Sequence, residues 1–235
     1  MVKSQDIKKV LRNLADPAIA EHSARFFKTG KGEYGEGDRF LGIRVPVLRE
    51  QVRKFESISI REVQHLLTSS FHEDRLCALL LLVRKYAKGT ERERTDIYEL
   101  YLKNTKYINN WDLVDSSAHH IVGTYLEHRD RQLLYHLVES TSLWERRIAI
   151  MSTFHFIRKN EFDDTLNLSK RLINDTEDLI HKAVGWMLRE IGKRDLGVEE
   201  VFLKAYYQNM PRTMLRYAIE RFPEHRRKQY LNGEV

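Results

Sequence analysis

The chain has 235 residues, 42% hydrophobic and 31% charged, with a formal net charge of +6. That balance excludes a disordered chain, leaves enough apolar residues for a substantial core, and suits a polyanionic partner such as nucleic acid or an anionic surface. A single cysteine, Cys77, excludes an intrachain disulfide, and its position inside the apolar run 76–83 marks it as a buried thiol in a protein of a reducing compartment.

Residues 1–10 contain no apolar stretch typical of a leader, and no run approaches the length of a membrane span. The expectation is a soluble protein of the bacterial cytosol or nucleoid. Only four prolines occur (Pro17, Pro46, Pro211 and Pro223), while Leu, Arg, Lys and Glu abound, which favours helix. Residues 28–42 hold five of the eleven glycines and must form a loop. No strand precedes it and no Gly-Lys-Ser/Thr ending follows, so it is not a phosphate-binding loop. It serves either as a connector or as a segment lying against a ligand.

Beyond that loop nearly every segment carries the helical period. In 114–126 the apolar residues are Val114, Ala118, Ile121, Val122, Tyr125 and Leu126, which form one helical stripe. Ile150, Met151, Phe154 and Ile157 repeat the pattern, as do Ala183, Val184, Met187, Leu188 and Ile191. No segment alternates as a strand does. Alanines 78, 118, 149, 183 and 218 each stand near the start of an apolar helix, at intervals of two helices and two short loops. This is the signature of degenerate helical repeats that bury their faces on their neighbours, although alignment on alanine by chance competes with it. No interdomain linker stands out, so a single domain over 1–235 is expected.

In such an array the N-termini of equivalent helices form a row. Near it fall Arg75, Asp115, Arg146, Arg147, Lys182 and Arg216, mostly basic. A phosphate backbone fits such a row, helped by the partial positive charge of each first turn; solvated residues that cap and pair between repeats are the other reading. Aromatic residues add to the pattern. Trp111 lies four residues before Asp115, so the two side chains are helix neighbours. Trp186 shares a basic stripe with Lys182, Arg189 and Lys193, where an indole packs on a sugar or a cation, or fills a gap between repeats. Trp144 reads as packing between repeats. The ten histidines are scattered, no His/Cys/carboxylate set has metal-ligand spacing, and no nucleophile motif appears. No metal and no cofactor are expected.

Four segments carry a family resemblance. Residues 110–116, Asn-Trp-Asp-Leu-Val-Asp-Ser, resemble the Trp-Asp-x-Val-Asp motif of the AlkD family of alkylpurine DNA glycosylases. Residues 182–190, Lys-Ala-Val-Gly-Trp-Met-Leu-Arg-Glu, are similar to its Lys-Ala-x-Gly-Trp-x-Leu-Arg-Glu signature. Residues 144–150 resemble the segment bearing its active-site arginine, here Arg147, and 40–46 match its Phe-Leu-Gly-Ile/Val-x-x-Pro element. The likeness runs from about residue 20 to about residue 225. It implies an all-α solenoid of HEAT-like repeats with a concave basic face. It also implies a monomeric, monofunctional glycosylase that removes cationic N-alkylated purines, such as 3-methyladenine and 7-methylguanine, from double-stranded DNA without a base-flipping pocket.

The resemblance assigns Asp115, Trp111, Trp186 and Arg147 to catalysis. Arg146, Lys182, Arg189, Lys193, Arg75 and Arg216 are the expected DNA contacts. Two departures stand out: the loop 30–38 is longer than in the family, and Phe26 replaces a tyrosine that faces DNA. Two other functions remain open, a non-catalytic binder of branched or damaged DNA and a peptide-binding helical repeat.

Overall fold

The 3.6-residue apolar period resolves into helices throughout. The structure is a computed structural model that describes residues 2–235. Among these residues there is no strand; the sole β-like pairing is one bridge between Arg39 and Phe71. The chain packs as two compact units, the first ending at Ser117 and the second covering Ala118–Val235. No described helix is long and apolar enough to cross a membrane.

The first unit contains α1 (Ser4–Asn13), α2 (Pro17–Phe26), α3 (Val45–Lys54), α4 (Ile60–Leu67), α5 (His72–Lys88), α6 (Glu91–Lys103), a 3₁₀ turn (Thr105–Tyr107) and α7 (Trp111–Asp115). Local sequence sets several starts: Asp16, Ser59 and Thr90 cap α2, α4 and α6 through side-chain oxygens that accept from first-turn amides. Helix α5 is the hub, packed on α1, α3, α4, α6 and α7. It is apolar on nearly every side. Ala78, Leu79, Leu81 and Leu82 have no exposed surface, and each buried leucine contributes about 2 kcal/mol. Cys77 is buried here, and burial pushes its thiol up to about 12.

The first turn of α5 is unusual. His72, Glu73, Asp74 and Arg75 are four consecutive ionisable residues, and all four are buried. Each ties a different segment to the hub. Asp74 accepts two hydrogen bonds from Arg12 of α1, at 2.9 and 2.7 Å. Glu73 accepts from the backbone amides of Leu41 (2.8 Å), Gly42 (2.7 Å) and Ile43 (3.2 Å), which fastens the end of the glycine-rich loop. Gly42 itself sits at φ +82°, where a β-carbon would also strike the Asp16 carbonyl, so the family-like Phe-Leu-Gly element requires glycine on two grounds. Glu73→Gln keeps the shape but offers one carbonyl oxygen to three donors, and its amide then opposes an N–H. We expect a loss of about 2 kcal/mol, read as a lower urea midpoint with no change in slope. An unchanged midpoint would show that the loop is held by other contacts.

The second unit contains a π-helical turn (His119–Gly123), α8 (Gln132–Leu137), α9 (Leu143–Ser152), α10 (Phe154–Ile157), α11 (Asp163–Leu172), α12 (Asp178–Gly192), α13 (Leu196–Tyr206), α14 (Arg212–Ala218), a 3₁₀ turn (Ile219–Arg221) and α15 (Glu224–Asn232). Helix α12 is its hub, against α9, α10, α11, α13 and α14. At Gly185 α14 lies so close that a β-carbon would meet the Met214 carbonyl and the Tyr217 side chain. The glycine before Trp186 is therefore a packing requirement.

The five repeat alanines at 78, 118, 149, 183 and 218 all have zero exposure, as the periodicity predicts. The stripe of 114–126 is buried as expected except at Tyr125, which is half-buried, but it is not one regular helix. Helix α7 stops at Asp115, and the chain re-enters helix through the π turn. Hydroxyls account for the break. The Oγ atoms of Ser116 and Ser117 both bond back to the Leu113 carbonyl, and the Thr124 Oγ1 bonds to that of His119, five residues back. Such bonds compete with the helical ladder. The stripe of 150–157 is broken similarly at Thr153, whose Oγ1 bonds to the Ile150 carbonyl at 2.7 Å.

Candidate nucleic-acid site

In the first unit the site builds outward from His72. Its Nδ1 lies 2.9 Å from Asp38 Oδ2 and its Nε2 lies 2.8 Å from Asp112 Oδ2. An ionised carboxylate only accepts, so a ring flanked by two of them must donate from both nitrogens, and His72 is an imidazolium. Burial opposes the charge, yet Asp112 and Asp38 outweigh it and raise the pKa to about 9. Burial would likewise raise Asp38, but His72 and Arg75 hold its carboxyl below the ordinary range. Arg75 donates to Asp38 Oδ1 (2.8 Å) and to the carbonyls of Tyr107 (3.1 Å) and Ser69 (3.2 Å). Expected from sequence to meet phosphate, Arg75 is instead a buried brace, its guanidinium turned inward.

This cluster places α7. Asp112 sits in the first turn of α7 beside Trp111, and Asn110 caps the helix with its side-chain oxygen 2.9 Å from the Trp111 amide. The Trp111 ring stacks on Phe27 (centroids 5.3 Å apart, planes 21° apart), Phe27 stacks on Phe40, and Phe40 stacks on the His72 ring. Half-buried Trp111 is thus fixed both by its neighbour in the chain and by an aromatic pile reaching back to the imidazolium. Phe26, the last residue of α2, is 58% exposed and meets Trp111 edge-on at 6.1 Å. Asp38 belongs to the glycine-rich loop, which so supplies part of the support; the Tyr34 hydroxyl also bonds to the Phe26 carbonyl.

Asp115 is the last residue of α7, one turn after Trp111, and is half-buried. The carbonyls at this helix end carry partial negative charge that adds to that of the carboxylate. Tyr101 lies close by. Burial holds its hydroxyl neutral, Ser117 opposes this through a 3.0 Å hydrogen bond, and the Asp115 charge reinforces the neutral form.

In the second unit, α12 carries the other predicted residues. The Trp186 Nε1 donates to Glu190 Oε1 at 3.2 Å, which fixes the half-buried indole along its own helix, and Phe154 lies 6.4 Å away. Burial would raise the Glu190 pKa, but Lys193, Trp186 and Arg194 bring it below the ordinary value. Along the predicted basic stripe each cation has a carboxylate: Lys182 pairs with Asp178 (2.7 Å), Lys193 with Glu190 (2.5 Å) and Arg189 with Glu220. Arg146, mostly covered, holds Asp175 at 2.6 Å and the carbonyls of Ser140 and Thr141. Arg147 is buried and donates to the Leu179 carbonyl at the start of α12. Arg216 is exposed on α14. Among the described residues no group of three His, Cys, Asp or Glu could hold a metal ion.

Residues 7–222 match the family described as DNA alkylation repair enzyme. The chain belongs to that family. The match spans both units, and it assigns the chain to the repair of alkylation damage in DNA. A solved structure, a predicted DNA alkylation repair enzyme from Enterococcus faecalis, superposes with a TM-score of 0.69 at 16% identity, covering 89% of this chain and 97% of that one. At that identity the likeness supports the helical fold alone. No curated protein matches this chain. For a repair-family member, the residues overlooked in the sequence are those that hold the motif in place: Asp38, His72, Glu73 and Asp112 from the first unit, and Glu190 beneath Trp186. The signal available for the first set was four consecutive charges running directly into the most apolar segment of the chain, which only internal pairing can reconcile with burial.

Proposed function

We propose that this repair-family protein is a monofunctional DNA glycosylase that releases cationic N-alkylated purines from duplex DNA. The observation that carries the reading is Asp115, a carboxylate at the negative end of α7 one turn from an anchored Trp111, in a chain of this family. An alkylated purine such as 3-methyladenine or 7-methylguanine already bears positive charge. When its N-glycosidic bond breaks, the bonding pair leaves with the base, which departs neutral and needs no general acid. Positive charge passes to the deoxyribose. Asp115 stabilises this oxocarbenium-like sugar as carboxylates do in glycoside hydrolysis. A water molecule then adds at the anomeric carbon and loses a proton, leaving an abasic site. Trp111 is the ring assigned to the sugar, with its π face favouring the developing cation, and Trp186 is assigned to duplex contact from the second unit. Arg146, Lys182, Arg189, Lys193 and Arg216 are assigned to the backbone, whereas Arg147, buried and donating to the Leu179 carbonyl, is assigned to holding the start of α12. Arg75 is left out of this set, since its guanidinium is engaged inside the first unit.

The test is to incubate the protein with methylated duplex DNA and assay free methylpurines, alongside a gel shift on undamaged duplex. Release of 3-methyladenine or 7-methylguanine above the spontaneous rate is expected. Salt-sensitive binding without release would replace the enzyme with a damage-binding protein, and no binding at low salt would remove DNA as the partner.

A further inference from the structure

On the second unit, α14 and α15 border a cleft of about 440 Å³ lined by Thr213, Arg216, Tyr217, Glu220 and Arg227. Its composition is peculiar. Arg216 is exposed and, among the described residues, has no ion pair. Arg227 bonds to Glu224 through one terminal nitrogen at 3.1 Å, while its Nε is buried without a hydrogen-bond partner. Thr213 and Tyr217 add hydroxyls. The one acid in the lining, Glu220, is half-exposed and carries its carboxylate to Arg189 on α12. The Arg189 Nε is likewise buried and unpartnered. Three guanidiniums thus border one carboxylate, and two of them keep an unused buried donor. Thr213 also bonds to Asp178, the partner of Lys182, so the cleft is continuous with the basic stripe of α12.

We infer that this cleft binds a backbone phosphodiester of DNA, and that Glu220 occupies the anion position on Arg189 until a phosphate displaces it. The inference rests on the DNA-repair reading above and deepens it: Arg189 and Arg216, assigned there to the backbone, are joined by Arg227 around one phosphate position that Glu220 holds. Arg227 lies beyond residues 7–222, so the family match does not reach it. A carboxylate and a phosphodiester each present oxygen acceptors to a guanidinium fork, and an exposed glutamate swings away at little cost. DNA entering the cleft exchanges one carboxylate on Arg189 for a phosphate that Arg216 and Arg227 also reach. The hydroxyl of Tyr217 offers a further donor. The nearby acids, Glu220, Glu224 and Asp178, limit the net positive charge, so free protein attracts polyanions here only moderately.

The experiment measures fluorescence anisotropy of undamaged duplex from about 50 to 200 mM salt, a range over which phosphate contacts dominate affinity. For Arg216→Gln/Arg227→Gln the dissociation constant should rise about tenfold at low salt, and the salt slope should fall by about 2, one for each lost contact. Glu220→Gln should tighten binding several-fold, while Glu21→Gln, an exposed acid on α2, should not. An unchanged affinity and slope in a folded double variant would overturn the site. If the double variant unfolds, Arg216→Lys/Arg227→Lys with retained binding supports it, and equal effects of Glu220→Gln and Glu21→Gln overturn it. Loss of binding in the double variant without methylpurine release by the parent would remove the glycosylase and keep the cleft. Failure of the parent to bind duplex would remove both.

Discussion

Asp115→Asn is expected to slow methylpurine release by about 10²–10³-fold, while duplex affinity stays within about a factor of two. The substitution preserves volume and one carbonyl oxygen and removes only the negative charge. That charge has little to do before the glycosidic bond stretches, because the lesion's charge then sits on the base; it matters as positive charge reaches the sugar. Stabilisation confined to the transition state appears in the rate and not in binding. Single-turnover release from 7-methylguanine duplex, measured with anisotropy on the same DNA, separates the two quantities. Full activity in the variant would assign the electrostatic work elsewhere. Asp112→Asn is the informative companion. Asp112 stands three residues earlier on the same helix, but its carboxylate faces His72, so its loss should lower the unfolding midpoint and disturb Trp111 rather than act on the chemistry directly.

The helical architecture was readable because burial imposes a period, and the period survives in the residues themselves. Ala118, Ile121, Val122 and Leu126 carry the stripe into the core even where the backbone departs from a regular helix. What the pattern lacked was any record of hydroxyls turning back on carbonyls, so the stop at Asp115 and the π turn went unseen. The candidate site was half legible. Trp111, Asp115 and Trp186 follow from short motifs whose spacing places them on helices. The phosphate contacts were the weakest part, since a positive charge in a sequence does not reveal its partner. Arg75 and Arg147 proved buried, and Lys182, Arg189 and Lys193 each sit on a carboxylate. Two of those carboxylates, Asp178 and Glu190, lie three or four residues away and were accessible to inspection; Glu220 comes from another helical segment and was not.

The other large effect is expected at His72, the imidazolium that anchors Trp111 in the first unit. Replacing it with glutamine leaves Asp38, whose side chain is 1% exposed, with the Arg75 cation and the neutral donors of the Arg39 backbone amide and Asn110, and leaves Asp112 without its cation. Removing one partner of a buried pair costs about 3–5 kcal/mol; because Arg75 remains, we expect about 3 kcal/mol. The sign of the pH dependence follows from the proton. The folded state binds it more tightly than the unfolded chain, with a pKa of about 9 against the ordinary 6.5. The contribution is therefore complete below about pH 6.5 and is lost as the pH rises through about 9. In urea titrations the parent protein should lose stability between pH 6.5 and 9.5, by roughly 3 kcal/mol if the whole shift is expressed. His72→Gln should start lower and stay nearly flat across the same interval, so the two curves converge at the alkaline end. Parallel curves would mean that His72 carries no extra proton in the folded state.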